Sequence, residues 1–117
     1  MGETADERLS WIIRNGEMDA LKELDFDPNC TDKGTPILVV ATDYGHVDVM
    51  KYLIEKGADV NKSNSAGITP ILVAIWEENY EAVQLLLQKG AKKNGKSPDG
   101  TSYSDLAPTE IKALLKG

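Results

Sequence analysis

One cysteine and one histidine in 117 residues leave little material for several kinds of chemistry. Cys30 alone closes no intrachain disulfide, so the chain reads as a protein of a reducing compartment, with the cytoplasm as its expected address and the nucleus as a second. No His/Cys spacing suits zinc, and no cofactor is expected. His46 and Cys30 are the only pair from which a nucleophile and its base could be drawn; neither adjoins the other, so a non-catalytic role is expected. Aromatic residues make up 6% of the chain. No apolar stretch approaches the roughly 20 residues that span a bilayer, and no membrane partner is expected. Basic residues are outnumbered 19 to 13 and cluster only at Lys92–Lys93. A phosphate backbone is thereby a poor partner, and a basic protein surface a better one.

The opening "MGETADERLS" is acidic where a secretory leader is basic and then apolar. A Met-Gly start with Asp6 at the hydroxyl position lacks the myristoylation signal. The sequons at Asn29 and Asn61 read as chance matches in a chain expected to stay inside the cell.

What the chain does have is punctuation at a fixed period. Gly34, Gly67 and Gly100 lie 33 residues apart, as do Ala41, Ala74 and Ala107. Between them, "TPILVAIW" opens on Thr69 and Pro70, and proline fits a first helical position because the N–H it lacks has no partner there. That spacing predicts a short helix from about Pro70 to Glu77. The following "NYEAVQLLLQKG" sets Ala82, Val83, Leu86 and Leu87 on one helical stripe, stopped by Gly90. Val49, Met50, Leu53 and Ile54 repeat the stripe, stopped by Gly57. "LSWIIRNGEMDALKEL" matches the two-helix part of a unit, with Gly16 aligned to Gly45. "SYSDLAPTEIKALLKG" is a shortened copy whose apolar face is Ile111, Leu114 and Leu115. A pair of helices cannot bury its apolar face alone, whereas stacked pairs share one long core. The expected fold is therefore all-α: a solenoid of four helix-turn-helix units joined by short hairpin loops, one domain over 1–117, with units at about 4–30, 31–63, 64–96 and 97–117.

Gly67 to Ala74, read as Gly-x-Thr-Pro-x-x-x-Ala, and "KGADVN" at Lys56 to Asn61 resemble the ankyrin repeat. The family's Thr-Pro-Leu-His is changed to "PILV" at Pro36–Val39 and "TPIL" at Thr69–Leu72. Gly-His before the second helix is kept at Gly45–His46 and becomes Glu78–Asn79 one unit later. The resemblance implies a protein-binding module, monomeric, with its variable binding side chains on hairpin tips and first helices. Carried onto this sequence, these are Arg14 and Asn15; Asp32, Lys33, Thr35, Asp43 and Tyr44; Ile68, Trp76 and Glu77; and Asp99, with Ser65, Ala66, Pro98 and Thr101 at the same tips. "ITPILVAIWEENYEAVQLLLQKGAKK", "SPDGTS" and "IKALL" are similar to small cytosolic members that sequester the heterodimeric actin-filament capping protein. That likeness implies this capping protein as partner and barbed-end actin growth as outcome. A kinase or a Rel-type transcription factor is the alternative partner.

Tyr44 and Trp76 are expected to point outward as anchors. Trp11 falls where Val40 and Val73 fall in their units, and is expected in the core. Asp32, Asp43, Glu77 and Asp99 are expected as acidic contacts on a shared face, and His46 as a brace for the adjoining loop.

Overall fold

The computed structural model describes residues 4–116, so the Met1-Gly2 start and the last residue of the 97–117 unit lie outside it. Helix α1 (Glu7–Asn15) begins where Asp6 accepts from the Leu9 backbone N–H at 2.8 Å, and ends at Gly16, whose φ of 67° lets its N–H turn back to the last carbonyls. That is the glycine-terminated helix end in which a Cβ would be strained. Helix α2 (Met18–Lys22) follows after a two-residue turn. A two-stranded antiparallel hairpin, β1 (Thr31–Asp32) and β2 (Thr35–Pro36), then leads into α3 (Ile37–Asp43) and α4 (Val47–Glu55). Helices α5 (Pro70–Trp76) and α6 (Tyr80–Gln88) form the third pair, and α7 (Tyr103–Leu106) and α8 (Thr109–Lys116) the fourth.

The expected helix from Pro70 stands, and Glu77 caps it. Thr69 starts it, its Oγ1 accepting from the Leu72 N–H at 3.3 Å. The structure is mostly helical, and the hairpin at 31–36 is its small departure from an all-helical reading. It arises because Lys33 and Gly34 both have positive φ, 52° and 86°, the geometry of a two-residue turn whose twist matches its strands.

First helices pack side by side in the order α1, α3, α5, α7, and second helices α4, α6 and α8 form a parallel row. One apolar cluster runs from Leu9 to Leu115 through the molecule, with Ile13, Leu21, Ile37, Leu53, Leu72 and Leu86 shut off from solvent. The expected stripes are buried there, Ile54, Leu87 and Leu114 only partly. The result is a slab of 38 × 26 × 20 Å.

Polar side chains tie one pair to the next. Asn29 donates from Nδ2 to the Gly57 carbonyl at 3.1 Å and accepts from the Asp59 N–H at 2.7 Å. Asn61 does the same one unit on, to the Gly90 carbonyl at 3.3 Å and from the Lys92 N–H at 2.9 Å. Both amide groups of the sequons are thus consumed in bridging. His46 braces the preceding turn as expected, its Nε2 2.7 Å from the Arg14 carbonyl oxygen.

Glu78 stands 33 residues after Gly45 and takes over its backbone conformation, with φ at 52° against 74° for the glycine. A side chain in the left-handed region costs about 1–2 kcal/mol where glycine costs none. Glu78→Gly is therefore expected to raise stability by about 1 kcal/mol, read as a higher urea midpoint at unchanged slope.

Candidate interaction groove

Four elements converge on the open side of the row of first helices. The 31–36 hairpin offers Asp32, Lys33 and Thr35; α3 offers Val39, Val40 and Asp43, with Tyr44 at its end; the 64–68 tip offers Asn64 and Ile68; and α5 offers Val73 and Trp76. With Arg14 from α1 they enclose an open groove of about 440 Å³. Eight of the eleven residues expected to bind, Arg14, Asp32, Lys33, Thr35, Asp43, Tyr44, Ile68 and Trp76, line it.

The tips are held by local hydrogen bonds. Asn64 Oδ1 accepts from the N–H groups of Ala66 and Ile68 at 2.9 and 3.0 Å, presenting Ile68 at the groove edge. Gly34, Gly67 and Gly100 all have φ between 83° and 90° at the three tips, which is why they recur at equal spacing. Tyr44 and Trp76 are 52% and 45% exposed, so both rings stand free on the groove surface as expected.

Trp11 is a correction. It was expected in the core, yet it is 52% exposed while the valines at its equivalent positions, Val40 and Val73, are 9% and 6% exposed. Among the described residues, helix α3 lies between α1 and α5, whereas α1 flanks α3 alone in that row. An indole at the end of the row outgrows the single neighbour that would cover a valine, and the core there is filled instead by Ile12 and Ile13.

The expected shared acidic face also differs from what forms. Asp32 is bound to Arg14 in an ion pair at 3.1 Å that neutralises both. Within the groove Arg14 and Lys33 balance Asp32 and Asp43, so the lining carries no net charge. Glu77, exposed at the end of α5, and Asn15, whose amide donates to the Trp11 carbonyl at 2.8 Å, lie outside the lining. Asp99 is set apart in the last tip. Its carboxylate accepts from the Ser97 hydroxyl and from the Thr101 N–H, the latter at 3.0 Å. These donors, the Ser97 hydroxyl foremost, hold its pKa below the ordinary 3.8. Because the folded value lies under the free one, the turn is fully stabilised above pH 3.8 and loosens as pH falls through the depressed value. The Thr101 amide resonance is expected to shift with acidification in that window, and Asp99→Ala to abolish the response.

Among the described residues no three His, Cys, Asp or Glu side chains gather as metal ligands, and no helix is long and apolar enough to cross a membrane. Sequence reasoning passed over the asparagine bridges and the Thr69–Tyr103 contact, in which the hydroxyls lie 2.8 Å apart across two pairs. The 32- and 33-residue spacing of Asn29, Asn61 and Asn94 was the available signal.

A stack of helix pairs with tips and first helices around an open groove is the architecture of a protein-interaction module. The family model for ankyrin repeats, three copies, matches residues 9–97, and the chain belongs to the ankyrin repeat family. Among its relatives, alpha-latrocrustotoxin-Lt1a of Latrodectus tredecimguttatus is 35% identical over 109 residues, 92% of this chain and 7% of that protein. Ankyrin repeat and SAM domain-containing protein 6 of Mus musculus is 32% identical over 92% of this chain and 14% of that protein. An ankyrin repeat-containing protein of Schizosaccharomyces pombe is 38% identical over 89% of this chain and 61% of its own length. The chain thus spans less than two thirds of each of these relatives.

Proposed function

We propose that the chain is a non-catalytic module that sequesters the heterodimeric actin-filament capping protein and so promotes barbed-end growth. In this reading it acts as a myotrophin-like monomer in the cytoplasm, with the nucleus as a second address. The fourth helix pair counts as a shortened fourth repeat, completing units at 4–30, 31–63, 64–96 and 97–117. The observation that carries the reading is the convergence of Tyr44, Trp76 and Asp43 on one groove, with Glu77 beside it. Exposed aromatic faces attract ammonium and guanidinium groups and cover their aliphatic stems, and in a groove whose lining is neutral as a whole Asp43 and the adjoining Glu77 set negative charge beside the two rings. Basic side chains of the partner would lie over the two rings between Asp43 and Glu77, which removes them from contact with a filament. The overall charge of -6 favours the same encounter.

The test is barbed-end elongation with capping protein present: growth should return as the chain is added, and no recovery at high micromolar concentration would sink the proposal. A pull-down from cytosol that recovers a kinase or a Rel-type transcription factor in place of capping protein would move the partner to the alternative class.

A further inference from the structure

The chain contains six asparagines, and five of them have their side chains engaged. Asn15 donates to the Trp11 carbonyl, Asn29 and Asn61 bridge successive turns, Asn64 closes its tip, and Asn79 accepts from the Ala82 N–H at 3.1 Å. Asn94 is exposed, and among the described residues its side chain makes no hydrogen bond. It is also followed by glycine, and the Gly95 N–H donates to no acceptor among the described residues.

Those are the conditions for attack of a main-chain nitrogen on the neighbouring amide. We propose that Asn94 is a site of spontaneous deamidation and isoaspartate formation, and that this conversion undocks the last helix pair. The Gly95 nitrogen bonds to Asn94 Cγ, the Cγ–Nδ2 bond breaks, and ammonia leaves with the proton lost from the Gly95 N–H. The resulting cyclic imide takes up water. Opening at the side-chain carbonyl gives aspartate, and opening at the main-chain carbonyl gives isoaspartate, with an extra methylene in the backbone. Glycine permits this closure because no Cβ obstructs its nitrogen.

Asn15–Gly16 is the same dipeptide placed as a contrast. Asn15 is the last residue of α1 with its amide tied, and the Gly16 N–H is held by the helix end. Asn94 lies in a bend, free of both restraints.

The consequence follows from where Gly95 sits. Its carbonyl accepts from the Tyr103 N–H at 3.0 Å, and its Cα lies so near that ring that a Cβ would fall 2.5 Å from Tyr103 Cζ. Tyr103 is 4% exposed and its hydroxyl bonds Thr69. A main chain lengthened at residue 94 pushes Gly95 off this seat and releases the tyrosine that fastens α7 to α5.

The experiment ages the full chain at mildly alkaline pH and follows each asparagine by peptide mass spectrometry with isoaspartate-specific enzymatic methylation. Conversion is expected at Asn94 first, with Asn15 intact over the same interval. Equal rates at the two dipeptides, or an unchanged Asn94 when a free peptide of residues 91–99 has converted, overturns the site. Hydrogen exchange on the aged fraction should show lost protection from 103 to 115, absent in an aged Asn94→Gln chain. Retained protection in fully converted protein overturns the undocking.

Discussion

Leu72→Ala is expected to lower the unfolding free energy by about 2–5 kcal/mol, as removal of a fully enclosed leucine does when the surroundings close only in part. Leu72 is wholly buried in α5, which packs against α3, α6 and α7. A domain of this size holds about 5–15 kcal/mol in total, so the loss takes between roughly a seventh of that stability and all of it. The site matters as much as the size of the cavity. In a stack where each pair touches only its neighbours, weakening a middle pair parts the structure into two pieces too small to stand alone. The urea midpoint should therefore fall sharply while the transition stays a single step, because neither remaining piece is stable by itself. Leu106→Ala, in the terminal α7 and only partly buried, is expected to cost much less.

The second large effect concerns binding. Trp76→Ala together with Glu77→Lys is expected to weaken the partner complex by about 2–4 kcal/mol, roughly 30- to 1,000-fold, because an exposed aromatic anchor and its adjoining charge are lost together. Helicity should be unchanged. Trp76 is half exposed, and Glu77 caps α5 through its backbone N–H, which donates to the Val73 carbonyl at 2.9 Å. A lysine at a helix C-terminus agrees with the helix dipole. Titration calorimetry with circular dichroism separates the two properties, and a double variant that binds normally would place the contact on another face.

Much of this fold was legible because its signals are periodic. The glycines at 34, 67 and 100 mark tips, and the stripes ending at Gly57 and Gly90 mark buried helix faces; each rests on backbone geometry and burial that any stacked unit must satisfy. Groove membership was legible for the same reason, since equivalent positions in successive units share a face. What stayed hidden was particular to single places. Trp11 follows the rule for interior units but sits in an end one. Asp32 meets Arg14 across 18 residues of chain, a pairing that depends on how the hairpin lies against α1. Asp99 turns its carboxylate to its own loop, as a short polar side chain beside a free N–H commonly does. The clamp of Tyr103 on Gly95 joins residues eight apart in one unit, which no period connects.

The asparagine links carry one more implication. Apolar faces cohere without caring about register, and on their own would let neighbouring layers slip or swivel. Asn29 and Asn61 each clip a donor and an acceptor of the following turn, so the offset between layers is set by directional contacts. The distance from Tyr44 to Trp76 along the groove is thereby calibrated like the marks on a gauge, and a visiting surface is measured against a scale that does not stretch to suit it.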